Sequence, residues 1–139
     1  VILLDTNVIS EPLRWSPEPR VIEWIDAQPL ETLYLSTITV AELRAGITLL
    51  APGKRRGGLQ ENLEKRILPL FLGRVLSFEL SCTQAYAELI ARGRKAGAAI
   101  AVADGYIAAI AIANGLAVAT RDTGPFKAAG AAVINPWNG

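Results

Sequence analysis

The chain opens on an unbroken apolar run, Val1-Ile2-Leu3-Leu4, that stops at a single carboxylate, Asp5. A run with no polar alternation has both faces buried, which is the condition of a central strand in a parallel sheet covered by helices. Similar runs recur at Leu33-Tyr34-Leu35-Ser36, Val75-Leu76-Ser77-Phe78, Leu116 to Ala119 and Ala132-Val133-Ile134. Helical stretches lie between them. Asp5-Thr6-Asn7 starts a short helix, and Val21, Ile22, Trp24 and Ile25 mark a second one opened by its prolines. The order Val40, Leu43, Ile47, Leu50 is a helical stripe that begins at Thr39 and ends at Pro52-Gly53. Further helices are predicted over Leu59 to Leu72, over Ser81 to Lys95, and from Asp104 to Asn114-Gly115. Strands alternating with helices predict an α/β sandwich around a mainly parallel sheet.

A length of 139 residues with 51% hydrophobic composition suits one domain, residues 1–139, that buries its own core. Fourteen basic against thirteen acidic side chains leave a net charge of +1, so bulk charge selects neither nucleic acid nor membrane as a partner. The lone Cys82 excludes an internal disulfide and a multi-cysteine zinc site, and fits a reducing, cytoplasmic setting. Tyr106 to Ala119 is the most apolar stretch, but Asn114-Gly115 interrupts it well short of the roughly 20 residues that span a bilayer. No basic region precedes an apolar one at the start, so no secretory signal is expected. With no Met anywhere, the initiator is expected to have been removed or left out of this numbering.

In a parallel sheet all strands end at one edge, so residues just past them meet in one crevice although they are distant in sequence. Asp5, Glu42, Asp104 and Asp122 all stand at such junctions. Two carboxylates ~4 Å apart repel by roughly 4 kcal/mol at an effective dielectric near 20, so four require protons or a cation between them. An all-oxygen, anionic set without thiolate or imidazole suits Mg²⁺ or Mn²⁺. Each acid also has an ordinary explanation. Asp5 and Asp104 precede helices they can cap, Thr39-Val40-Ala41-Glu42 fits a capping box, and Asp122 can organise the turn before Gly124-Pro125. Taken together, those explanations leave the convergence of all four on one edge unaccounted for.

With no histidine, Ser-His-Asp and Cys-His chemistry is impossible. Gly46 to Lys54 is too long for a phosphate loop, and Arg55 replaces the Ser or Thr it requires. Lys54-Arg55-Arg56 with Arg44, and Arg92-Arg94-Lys95, are candidate phosphate contacts, although short charge runs are usually solvated faces. Trp15, Trp24 and Trp137 sit in apolar settings that favour core or interface packing over base stacking. Cys82 reads as a small buried side chain.

Four ordered blocks then carry a family resemblance. Asp5-Thr6-Asn7-Val8-Ile9-Ser10-Glu11, Thr39-Val40-Ala41-Glu42-Leu43, Asp104-Gly105-Tyr106-Ile107-Ala108-Ala109 and Ala119-Thr120-Arg121-Asp122-Thr123 resemble PIN-domain ribonucleases of the VapC and FitB-like toxin group. Asn135-Pro136-Trp137 resembles the FitB-like end. The likeness runs along essentially the whole chain and implies a PIN-like three-layer sandwich. It also implies a bacterial, Mg²⁺- or Mn²⁺-dependent endoribonuclease, the toxin half of a toxin–antitoxin pair. By position Asp5, Glu42, Asp104 and Asp122 match the family's acidic quartet, Thr120 a supporting hydroxyl, and Asn7 a residue that steadies Asp5. Asp122 stands where many relatives carry Asn, and Gly105 replaces a commoner Ala. RNA as substrate, a cognate antitoxin that covers the groove, a homodimer through apolar helices, and contact with operator DNA only through the antitoxin belong to the same expectation.

Three rivals compete with that reading. A haloacid-dehalogenase-like phosphatase needs a second Asp where Asn7 stands. A receiver-like signalling domain needs paired acids after the first strand and a Lys near the last ones, but the chain offers Asp5-Thr6 and Thr120-Arg121. An inactive RNA- or partner-binding module would keep the acidic cluster for stability alone.

Overall fold

The computed structural model describes residues 1–138. Its centre is a five-stranded sheet of β1 (Ile2–Leu4), β2 (Leu33–Ser36), β3 (Val75–Leu76), β4 (Ala117–Ala119) and β5 (Val133–Ile134), in the order β3-β2-β1-β4-β5. Every pairing is parallel, with Leu3 beside Tyr34 on one side and beside Val118 on the other. The opening run is therefore the central strand, as its lack of alternation predicts.

The period of two along each strand divides the core into two layers. Leu3 and Val118 face one cluster, which also holds Cys82, Leu89, Ile107, Ile110 and Phe126. These belong to α5 (Leu80–Lys95), α6 (Val102–Ala113) and α7 (Thr123–Ala128). Leu4, Leu33, Leu35 and Ala119 face the other cluster, with Val8, Val21, Leu43 and Ile47. Those side chains come from α1 (Thr6–Ile9), α2 (Pro19–Ala27) and α3 (Thr37–Thr48). Helices on both faces of a parallel sheet give the expected three-layer sandwich.

The local departures have physical causes. The helix predicted over Leu59 to Leu72 begins earlier, as α4 (Lys54–Asn62) after Gly53 at φ 154°, and then changes character. A π-helical turn spans Leu63–Ile67 and a 3-10 turn Leu68–Phe71. Pro69 lacks an N–H and its ring collides with the carbonyl four residues back, so the α-helical pattern cannot run through it. A short helix, α7, follows Asp122, where only a turn is predicted from the sequence. Trp24 and Trp137 pack on the second cluster, whereas Trp15 is 91% exposed and lies outside either core. Cys82 is buried, as expected.

Gly105 has a packing reason. A Cβ there would stand 3.3 Å from the Tyr86 ring, so the absence of a side chain lets α6 lie close against α5. Tyr86 stacks on Tyr106 with ring centroids 5.0 Å apart, and both rings meet Phe78 edge-on.

Candidate active site

The connection from β3 to β4 crosses over β2 and β1, so the strand order reverses between β1 and β4. The carboxyl ends of two strands flanking such a reversal form an open crevice. Asp5 follows β1 directly and Thr120 follows β4 directly. The two backbones are tied there, the Asp5 N–H donating to the Ala119 carbonyl at 2.9 Å.

Asp5 is only 4% exposed, yet its carboxylate is fully partnered. Oδ1 accepts from the Thr6 amide at 2.8 Å, and Oδ2 accepts from the Thr120 hydroxyl at 2.8 Å and from Asn7 Nδ2 at 3.3 Å. Asp5 thus caps α1, as the sequence allows, and Asn7 steadies it as the resemblance implies. The Thr120 hydroxyl also accepts from the Asp122 amide at 3.0 Å, and Asn7 Oδ1 accepts from the Arg121 amide at 3.2 Å. The segments after β1 and β4 are therefore one hydrogen-bonded unit.

Two of the capping assignments are corrected. Glu42 does not reach back to Thr39: α3 starts at Thr37, and Ser36 caps it by accepting from the Thr39 amide at 3.0 Å. Glu42, more than a turn into the helix, instead accepts from the Thr6 hydroxyl at 2.6 Å. Asp104 does not cap α6 either, because that helix starts at Val102 and Asp104 lies within its first turn. Asp122 occupies the position before α7 without a side-chain cap bond. Sequence reasoning missed Thr6, whose hydroxyl lies between Glu42 and the Thr39 hydroxyl, 3.0 Å away. A hydroxyl directly after the first acid is the signal that marks it.

The electrostatics register the convergence. Burial pushes the Asp5 carboxyl from 3.8 up to about 6; bonds from Thr120 and Thr6 oppose that rise, and the charges of Asp104 and Glu42 add to it. Burial also raises Asp104, with Glu42 and Asp122 contributing repulsion. Asp5 thus feels the charges of Asp104 and Glu42, and Asp104 those of Glu42 and Asp122. Arg44 is not part of a basic cluster with Lys54-Arg55-Arg56, since it forms a bidentate pair with Glu64 at 2.7 and 3.1 Å.

A family model described as the PIN domain matches residues 2–131. This chain belongs to the PIN-domain family. The plasmid stability protein StbB of Pseudomonas syringae pv. tomato is 69% identical to it over 137 residues, 99% of each chain. The VapC ribonuclease Y4jK of Sinorhizobium fredii is 56% identical over 99% of this chain and 98% of its own. Toxin FitB of Neisseria gonorrhoeae is 56% identical over 99% of each. The crystal structure of FitAcB from that organism superposes with a TM-score of 0.95 at 56% identity, covering 99% of both chains.

Among the described residues of this PIN domain, no three acidic or thiol side chains are gathered tightly enough to form a complete protein cage for an ion. A hard cation does not need one. Mg²⁺ keeps several of its waters and is commonly held by one or two carboxylates together with substrate phosphate oxygens. The donor set, all oxygen and with two carboxyl groups raised chiefly by burial and further by neighbouring negative charge, fits a divalent cation of that kind.

Proposed function

We propose that this PIN domain is a metal-dependent endoribonuclease and the toxin half of a type II toxin–antitoxin pair. The observation that carries the reading is that Asp5, beside the reversal point between β1 and β4, feels the charges of Asp104 and Glu42, and Asp104 those of Glu42 and Asp122, four acids from four separate segments. Near-full-length relatives named as a VapC ribonuclease and as a toxin supply the substrate class and the biological role. The chain works as one unit over residues 1–139, in the bacterial cytoplasm.

Asp5 and Asp104 would hold Mg²⁺ or Mn²⁺ directly, while Glu42 and Asp122 would act on it directly, through water, or by orienting the nucleophile. The chemistry such a cation supplies is activation of water and neutralisation of charge at the phosphoryl oxygens. Thr120 and Asn7 fix the Asp5 rotamer, which keeps the buried carboxylate aimed at the crevice. Thr6 holds Glu42 in the same way, its hydroxyl donating to the Glu42 carboxylate. Water oxygen adds to phosphorus, the bond from phosphorus to the 3′-oxygen breaks, and the products carry 5′-phosphate and 3′-hydroxyl ends. The missing histidines are consistent with that route, since cleavage through the 2′-hydroxyl with paired acid and base imidazoles needs them.

A cognate antitoxin covers the crevice, and operator DNA is reached only through that partner. Solved relatives include FitAB bound to a DNA fragment. A homodimer presenting two crevices to RNA completes the assembly. The test is incubation of antitoxin-free protein with structured and single-stranded RNAs in Mg²⁺, Mn²⁺ or EDTA, beside Asp5→Asn and Asp104→Asn. Cleavage that requires metal and disappears in both variants is the expected result. Folded protein that binds Mn²⁺ and cuts none of a panel including tRNA and rRNA would turn the reading to an inactive binding module.

A further inference from the structure

The acidic crevice raises a problem that its own residues do not solve. An RNA strand is a chain of negative charges, and a cluster of carboxylates repels every phosphate except the one a cation bridges. A nuclease of this kind therefore needs a fixed positive group beside the crevice. Arg121 is exposed and lies between Thr120, which bonds Asp5, and Asp122. It takes part in no ion pair among the described residues, so its charge is free for a ligand.

The residue is held at its backbone and at its guanidinium. Its backbone amide donates to Asn7 Oδ1 at 3.2 Å, and its guanidinium carbon lies 5.2 Å from the centre of the Trp137 ring. Trp137 is a firm support: it packs on the core cluster around Leu4 and Val8, its amide donates to Asn135 Oδ1 at 2.9 Å, and its carbonyl accepts from Arg20 at 3.1 Å. It follows β5, the neighbour of β4, so the pair stands on the same carboxyl edge as the acids. A guanidinium stacked on an indole loses less conformational freedom when it binds phosphate, and it offers its fork of donors outward. Arg14, by contrast, is paired with the buried Glu11 at 3.1 Å.

We infer that Arg121, propped on Trp137, binds a phosphate of the RNA strand next to the scissile bond and so sets where the strand lies across the crevice. This rests on the nuclease reading above. The free positive charge beside a repelling acidic cluster favours RNA over a protein partner as the ligand.

The test is steady-state cleavage of a short single-stranded RNA by antitoxin-free protein, comparing wild type, Arg121→Ala, Arg121→Lys and Trp137→Leu, with thermal melts to verify folding. RNA affinity is measured separately by anisotropy in an Asp5→Asn background across a salt series. Arg121→Ala is expected to raise KM and Kd about tenfold with kcat held within about twofold. The slope of log affinity against log salt should fall by about 0.7, one phosphate contact on a single strand. Lys should restore part of the loss, and Trp137→Leu should reproduce a smaller version of it. An active Arg121→Ala enzyme with unchanged KM and salt slope, or with loss in kcat alone, would overturn the inference while leaving the nuclease reading intact. Unchanged RNA affinity with weakened antitoxin binding would overturn it too, assigning the surface to the protein partner. Absence of metal-dependent RNA cleavage in the wild type would remove both.

Discussion

Asp5 and Asp122 follow neighbouring strands of one sheet, and the protein treats them in opposite ways. Asp5 is 4% exposed and accepts three hydrogen bonds; Asp122 is exposed and its carboxylate caps nothing. The difference arises because β1 is central and β4 lies one place toward the edge, so the residue leaving β1 is covered by Thr120 and α1 while Asp122 stands two residues further out. Burial makes the ionised form of Asp5 expensive unless a cation stands against it. One carboxylate is therefore held in a single buried position by its hydrogen-bond partners, and the other is left free to adjust.

Activity separates the two acids most directly. Asp5→Asn is expected to lower kcat/KM by about a thousandfold, the upper range for removing one preorganised electrostatic group. Single-turnover cleavage in saturating Mn²⁺ measures it. Retention of more than a tenth of wild-type activity would mean that the buried carboxylate is structural.

The next largest effect is on stability. The folded Asp5 carboxyl titrates near 6 against 3.8 in an unperturbed chain, so between those values the folded state binds more protons than the unfolded one. Stability of the metal-free protein must then fall as pH rises through that window, by up to ~3 kcal/mol, with the penalty absent below pH 4 and complete above 6. Asp104 is shifted in the same direction. Urea denaturation in EDTA from pH 4 to 8 is the measurement, and Asp5→Asn should flatten the curve. A metal-free protein that gains stability from pH 4 to 7 would show that the burial at Asp5 is fully offset.

Thr120→Val sharpens the same contrast. It removes the hydroxyl that donates to Asp5 and accepts from the Asp122 amide, leaving both short of a partner. A loss of about 1–3 kcal/mol is expected. The Asp5 carboxyl should move further above 6, because the Thr120 bond is what chiefly opposes burial. Carboxyl-carbon NMR titration reads that shift, and an unchanged or lower value would contradict it.

The sequence discloses the two acids unequally as well. Asp5 is legible because an all-apolar strand has to end somewhere, and the first polar residue past it falls on the sheet's carboxyl edge. The central position of β1 follows from the same unbroken apolar run, and the layers from strands that alternate with helices along the chain. What stayed hidden depends on distances between segments. Glu42 matches a local capping rule, and only the approach of α1 to α3 shows that its partner is Thr6. Arg44 reads as part of a basic run until α4 and the turn after it bring Glu64 beside it. Trp15 reads as core or interface by residue type and is not core, since no element packs over the loop that carries it. Helix α7 escaped notice because Gly124-Pro125 reads as a turn, although Pro is well placed in the first turn of a helix.

Asp122→Asn gives the smallest expected effect and discriminates best between the two acids. Asn serves as well as Asp at the position before a helix, and the amide bond to Thr120 does not involve the side chain, so stability should change by no more than about 0.5 kcal/mol. Removing its charge relieves part of the repulsion on Asp104, whose carboxyl should titrate closer to its ordinary value. Cleavage should fall by about tenfold at most, because an exposed carboxylate contributes through a screened interaction that Asn can partly replace as an oxygen ligand. If Asp122→Asn abolished cleavage as completely as Asp5→Asn, burial would not be what distinguishes the two acids, and the exposed carboxylate would have to be a direct ligand of equal weight.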